Sequence, residues 1–296
     1  GPANGCRPGS HGVALSVSWK KPVKISTSFL MALMLSLSVE AETLPRENPV
    51  PGGIAIVPVA PETEPAPLVY YEGQRVLLVP HDGGWRAVVG LPLSLSPGRQ
   101  VIRVSDIGGR QREIPFEVRS KTYAEQRLFI KDRRMVEPSA EDLMRIEREQ
   151  EIIRAAFTVW SDLPLKSLQF QLPVQGRISS IFGLRRFFNN KPRQPHSGID
   201  IAAPTGAPVV APLAGIVVES GDYFFNGKTI FLDHGQGLVS MFNHLSRILV
   251  ERGKRVGTGE KIGEIGMTGR VTGPHLHWTV SLNNSRVDPE LFLPSN

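Results

Sequence analysis

Apolar residues fall into short alternating runs along most of the chain and reach a helical period in one place only. Between positions 68 and 118 the runs 75–79, 85–89, 101–104 and 114–118 are rich in β-branched residues. Turn signals separate them at His81-Asp82-Gly83-Gly84, Ser96-Pro97-Gly98 and Gly108-Gly109. Strands of this length and spacing predict a small β-sandwich-like domain over 42–120. Its proline-rich start, 42–67, is expected to be extended. In the linker 121–164, Ser139 follows Pro138 and precedes Asp142 by three residues, which marks a helix start. Leu143, Ile146, Ile153 and Phe157 then recur at helical spacing. Arg145, Glu147, Arg148, Glu149 and Glu151 are expected to face water, so the helix reads as an amphipathic linker packed on a domain. From 165 to 296 the runs 209–212, 215–218, 229–232 and 261–265 are again strand-like and broken by glycine and proline. They predict a compact, mostly antiparallel β domain, making the chain mainly β overall.

The first 41 residues do not fit either domain. Lys20, Lys21 and Lys24 precede an apolar run at 29–35 that ends in Val39-Glu40-Ala41, the layout of a cleavable export signal. The run is short and interrupted by serine, which disfavours a membrane anchor. Gly1-Pro2 in place of methionine reads as a remnant or a misplaced start ahead of that signal.

Composition narrows the chemistry. With 41% hydrophobic and 21% charged residues the chain is an ordinary globular protein, neither disordered nor fibrous. Its single cysteine, Cys6, excludes an intramolecular disulfide and leaves any metal to imidazole and carboxylate. The net charge is +6, and setting aside residues 1–41, with four basic and one acidic side chain, leaves +3. That excess suits an anionic envelope and gives no case for nucleic acid.

Four of the seven histidines stand in a suggestive order. They occur in His196-Ser197-Gly198-Ile199-Asp200, in Phe242-Asn243-His244-Leu245-Ser246 and in His275-Leu276-His277. Extended chain puts residues an even number apart on one face, which aligns His275 with His277 and permits the same for His196 and Asp200. Pro195, Gly198 and Pro204 argue against a helix there. Catalytic zinc takes three imidazole or carboxylate ligands and keeps a position open, so two histidines and one aspartate suffice. Further histidines nearby can move protons or stabilise an oxyanion. Spacing leaves open which of His275 and His277 would bind metal.

The flanking residues answer that by resemblance. Phe182-Gly183-Leu184-Arg185, the stretch from His196 to Pro204, Asp233-His234-Gly235, Asn243-His244-Leu245-Ser246 and the stretch from Gly266 to Trp278 together resemble the lysostaphin- or LytM-type zinc endopeptidases, peptidase family M23, over about 173–289. The resemblance implies one zinc ion held by His196, Asp200 and His277, with His244 and His275 as the catalytic histidines. It also implies an exported, periplasmic hydrolase of peptide cross-links in bacterial peptidoglycan, closer to two-domain members that cut D-alanyl cross-links than to those that cut polyglycine. Two positions depart from the pattern: Thr279 stands where members often have glutamate, and Phe242-Asn243 where they often have Tyr-Ala.

Two rivals share the motifs. One is a non-catalytic wall-binding activator of other hydrolases, which intact ligands disfavour. The other is a zinc amidase cutting between sugar and peptide. The N-terminal module carries no visible chemistry and is expected to restrain or target the enzyme; the sequence names no protein partner. Plain readings are given to His11 in the leader, His81 in a hairpin turn and His234 in a strand-ending turn; Arg185 and Arg186 are solvated or bind substrate, and Tyr223-Phe224-Phe225-Asn226 form a groove-lining loop or, as the preferred reading, an aromatic cluster under a turn. Thr272 is either a turn hydroxyl or a group that orients a histidine.

Overall fold

β-Branched alternation in the first module becomes strand, as shown by a computed structural model that describes residues 43–165 and 167–295. The leader read over 1–41 lies outside the described residues. The strands are β1 (Ile54–Pro61), β2 (Leu68–Tyr71), β3 (Gln74–Arg75), β4 (Leu77–His81), β5 (Gly84–Gly90), β6 (Gly98–Ser105) and β7 (Gln111–Val118). They form two antiparallel sheets, β1-β5-β4 and β3-β2-β6-β7. Val57, Tyr71, Val89, Ile102 and Val104 are among the side chains packed between them. The proline-rich start is more than a lead-in: it supplies β1, with Pro58 beside a register shift that spares the ladder.

Alternation along β1, β4 and β5 sends Ile54, Leu77, Val79 and Val88 the other way, into the core of the C-terminal part. Strand β5 is therefore covered on both faces, which accounts for the unbroken apolar run Ala87-Val88-Val89. The Asn283 side chain accepts from the Gly90 N–H at 2.7 Å and donates to its carbonyl at 2.9 Å, closing the seam.

The linker contains β8 (Glu125–Leu128), a 3-10 turn at Arg133–Met135 and α1 (Ala140–Phe157). Ser139 caps α1 in a reciprocal capping box with Asp142, and Asp142 also pairs with Arg134. Helix α1 buries Ile146, Ala156 and Phe157, the last edge-on to Phe231 at 5.3 Å. Two helix expectations are corrected. Leu143 is 54% exposed, because the first turns of α1 lie along the rim of a groove rather than on a core. Glu149 turns inward and accepts the Phe224 N–H at 2.7 Å.

The C-terminal strands are β9 (Arg177–Ser180), β10 (Arg185–Phe188), β11 (Lys191–Pro192), β12 (Ile199–Ala202), β13 (Pro208–Val210), β14 (Gly215–Tyr223), β15 (Gly227–Gly235), β16 (Leu238–Ile248), β17 (Arg255–Val256), β18 (Lys261–Ile265), β19 (His275–Leu282) and β20 (Ser285–Val287). Antiparallel pairing gives the order β17-β14-β15-β16-β19-β12-β9, with β18 and β20 added on β16 and β19. Trp278, Phe242, Ile230 and Leu276 are fully buried at its centre. One pairing breaks the antiparallel expectation: β8 runs parallel to β10 in a separate three-stranded sheet, β11-β10-β8, which ties the linker to the C-terminal part. Among the described residues no helix is long and apolar enough to cross a membrane.

Candidate metal centre and groove

Sheet register builds the centre. Strands β12 and β19 pair so that Asp200 lies directly opposite His277, and β16 pairs with β19 so that Asn243 lies opposite the same histidine. Directly paired residues share a face, so Asp200 and His277 meet side by side. His196 reaches them from just before β12, across a turn at Gly198. A Cβ on Gly198 would lie 2.2 Å from the Trp278 carbonyl, so only glycine lets the chain pass there. His244 sits at φ 65°, outside the strand alternation, which turns its ring towards the ring of His275 at 4.9 Å between centres. The structure thus gathers all five residues singled out in the sequence.

Three atoms converge. His196 Nε2 is 2.9 Å from Asp200 Oδ1 and 3.0 Å from His277 Nδ1, and the last two atoms are 2.8 Å apart. Partners on the far side of each ring let us assign tautomers. His196 Nδ1 faces the Ile181 carbonyl at 2.7 Å; a carbonyl only accepts, so that nitrogen carries the hydrogen. His277 Nε2 faces the Thr279 hydroxyl at 2.9 Å. The hydroxyl can accept from that nitrogen or donate to it; when each outer nitrogen carries the hydrogen, both inner nitrogens present lone pairs to the carboxylate. Three lone pairs so placed can converge on one cation. The donor set of two imidazoles and one carboxylate, each imidazole anchored from behind, fits zinc. Burial pushes His277 down to about 4, so its ring is neutral and free to ligate at neutral pH.

The second pair of rings is anchored in the same manner. His244 Nδ1 donates to the Thr268 carbonyl and His275 Nδ1 to the Gly273 carbonyl, both at 2.8 Å, which leaves each Nε2 as an acceptor. Burial, with the neighbouring His275 and His277, holds His244 well below the usual histidine range. Thr272 plays no part in this anchoring and is exposed.

Several supporting residues escaped the sequence reading. Arg186, expected to be solvated or to bind substrate, is enclosed and committed to the centre instead: its guanidinium donates to Asp200 Oδ2 at 2.6 Å, to Gln126 Oε1 at 3.0 Å and to Ser180 Oγ at 3.3 Å. Holding Oδ2, it leaves Oδ1 alone to face the two imidazoles. Arg185, by contrast, makes a surface pair with Glu125. Of the two readings for 223–226, the groove-lining one holds for Phe225 and Asn226, and the Asn226 carbonyl accepts the His244 N–H at 2.9 Å. His234 lies inside β15 rather than in a turn, bonded to the Ala214 carbonyl and the Ser240 hydroxyl.

The centre opens into a groove of about 540 Å³ lined by His196, His244, His277, Asn243, Phe225 and Arg270. Val136, Pro138, Leu143 and Ile146 of the linker also line it.

With this geometry established, relatives can be compared. Residues 194–289 match the model of peptidase family M23 and residues 47–121 that of the M23 N-terminal domain. The peptidoglycan DD-endopeptidase ShyA of Vibrio cholerae is 41% identical over 113 residues, 38% of this chain and 26% of its own length. The DD-carboxypeptidase/endopeptidase Mpg of Neisseria meningitidis is 40% identical over 116 residues, 39% of this chain and 27% of its own. The chain thus spans about a quarter of the length of these curated relatives. A solved peptidase M23 structure from Pseudomonas aeruginosa is 44% identical with a TM-score of 0.69, covering 83% of this chain and 95% of that one.

Proposed function

The chain belongs to peptidase family M23, and on that premise we propose that it is a zinc-dependent endopeptidase that hydrolyses D-alanyl cross-links of bacterial peptidoglycan in the periplasm. The observation that carries this reading is the convergence of His196, Asp200 and His277 lone pairs beside two anchored, inward-facing imidazoles. Relatives that match the catalytic part are named for DD-endopeptidase and DD-carboxypeptidase activity, which supports the choice of bond.

His196, Asp200 and His277 would hold one zinc ion. Bound there, zinc supplies Lewis acidity, polarising a carbonyl and making water nucleophilic near neutral pH. The chain's own residues do the rest. His244 lines the groove and His275 Nε2 lies 3.9 Å from Asp200 Oδ1, each with Nε2 left as an acceptor, so either can take the proton of an attacking water. The protonated ring can then hydrogen-bond the developing oxyanion or pass its proton to the leaving amine. Thr279 and the Ile181 carbonyl keep the ligand rings in register, and Arg186 does so for the carboxylate. Walls from Phe225 and the linker restrict water.

The reading extends to regulation. Val136, Pro138, Leu143 and Ile146 form a wall over the groove that holds the centre, so the linker acts as an intramolecular cover. Tethering makes such a cover effective even at poor intrinsic affinity.

The function is tested by incubating the purified protein with sacculi and analysing the released muropeptides by mass. Monomers from cleaved cross-links are expected. Free stem peptides without sugar would instead establish an amidase, and no release would favour the activator reading. His196→Ala, Asp200→Ala and His277→Ala should each lose zinc and activity together.

A further inference from the structure

Arg270 stands on the groove wall with His196, His244 and His277, and nothing in the reaction above uses it. Its guanidinium is held between two aromatic faces, 4.1 Å from the Phe225 ring centre and 4.7 Å from that of Phe188. Its one side-chain hydrogen bond among the described residues is long, 3.4 Å to the Met135 carbonyl. Burial, and after it the neighbouring cations Arg193 and Arg186, push it down to about 10, still charged at neutral pH. Arg186 already has Asp200, and Arg193 already has the Val136 carbonyl at 2.8 Å. Arg270 therefore brings a guanidinium with five N–H donors to the groove and spends one of them on a weak neutral acceptor. Enclosing a cation beside other cations is unfavourable; the two aromatic faces offset part of that cost, and an anion received there would offset more.

The same turn that fixes the centre fixes Arg270. The Thr268 carbonyl holds His244 Nδ1, the Thr268 hydroxyl donates to the Leu245 carbonyl at 2.8 Å, and the Arg270 N–H donates to the Phe225 carbonyl at 2.8 Å. Gly269, at φ 75°, packs backbone to backbone: a Cβ there would lie 2.4 Å from the Gly227 nitrogen. Arg270 is thus placed two residues from the carbonyl that orients His244, on a turn held by these bonds.

Substrate chemistry supplies the anion. When a D-alanyl bond to the side-chain nitrogen of a diamino diacid is cut, the carbon bearing the leaving nitrogen also bears a free carboxylate. Removal of a terminal D-alanine has the same feature. In a polyglycine bridge the corresponding carboxyl is tied up as a neutral amide. We propose that Arg270 binds the carboxylate on the carbon that bears the leaving nitrogen, and so selects D-alanyl bonds of this kind over neutral bridges. A guanidinium suits this role because its planar fork matches a carboxylate with two parallel hydrogen bonds. The inference rests on the peptidase reading above and names the substrate feature that reading leaves open.

The test uses the full chain, zinc-loaded, and two soluble cross-linked muropeptides that differ only in whether that carboxylate is free or amidated. The wild type should cleave the free form at least ~10-fold faster in kcat/KM, the scale of a charge-assisted hydrogen bond. Arg270→Gln should lose about 10- to 100-fold on the free form and stay within ~2-fold on the amidated form. Arg270→Lys should fall between, since a point charge replaces the fork. Equal wild-type rates on the two substrates would overturn the proposal, whatever the variants do. So would an equal loss by Arg270→Gln on both, which would make the residue a structural wedge between Phe188 and Phe225. A wild type that cleaves neither substrate would instead overturn the peptidase reading itself, and this inference with it.

Discussion

Replacing Thr279 with valine isolates a single hydroxyl beneath the metal centre. Thr279 is fully buried in β19, and its Oγ1 lies 2.9 Å from His277 Nε2, the only side-chain bond it makes among the described residues. Valine keeps the shape and the strand preference, so the substitution removes the partner and little else. Two effects then oppose zinc. The buried Nε2–H loses its acceptor, which costs about 1–3 kcal/mol. The ring can recover part of this by moving its hydrogen to Nδ1 and donating to Asp200 Oδ1, 2.8 Å away, but that hydrogen then occupies the place of the cation. Metal-free protein is thereby partly compensated while the loaded form is not. Zinc affinity should fall about 10- to 100-fold, the usual effect of losing a partner behind a metal-bound histidine. Competition against a chelator of known affinity measures it directly, and the gain in Tm on adding zinc should shrink in parallel. Thr279→Ser is the control: it keeps the hydroxyl and leaves a methyl-sized gap, so stability drops about 1 kcal/mol while zinc affinity holds. Wild-type zinc affinity in Thr279→Val would refute the tautomer assignment and the anchoring role built on it.

Three further outcomes are expected. His244→Ala and His275→Ala should keep most of their zinc yet lose about 10²-fold or more in turnover, and an emptied site in His275→Ala would reverse the roles of the pair. Burial pushes His234 down to about 4, so between pH 6.5 and 4 the unfolded chain takes a proton that the folded chain refuses. Stability that is full above pH 6.5 should fall across that window by about 3 kcal/mol from this group, and His234→Gln should flatten the decline in urea-unfolding free energy with pH. Asp142→Ala breaks the capping box and the pair with Arg134 that start α1, so the cover over the groove should open more often. A rise of ~2-fold or more in kcat/KM on soluble muropeptides is expected, and an unchanged rate would leave the linker as mere scaffolding.

What could be read in the sequence was what is local or repeated within a strand. The pairing of His275 with His277 follows from period two, and the start of α1 follows from Ser139 and Asp142. Long-range placement was hidden. Arg186 becomes a partner of Asp200 because β8, some sixty residues earlier in the chain, pairs beside β10 and because β10 lies near β12; no spacing announces either. Leu143 carries the right period for a buried face, yet the helix meets a groove at that turn and a core only further on. The N-terminal sandwich was legible as alternation, but the second apolar face of β1, β4 and β5 was not. A run such as Ala87-Val88-Val89 fits one covered face nearly as well as two.

That shared core also bears on experiments with the isolated catalytic part. Ile54, Leu77, Val79 and Val88 complete its packing, so removing the first module exposes apolar surface as well as the groove. Point substitutions in the linker therefore test the cover more cleanly than truncation.

The central claim is hydrolysis of a cross-link at a metal centre built from His196, Asp200 and His277. It is tested most directly by digesting a defined D-alanyl cross-linked dimer in ¹⁸O water with the zinc-loaded protein, the chelated protein and His277→Ala. The account predicts one ¹⁸O in the newly freed D-alanyl carboxyl with the loaded wild type, and intact dimer in the other two. Label at any other bond, or equal cleavage after chelation, would contradict it.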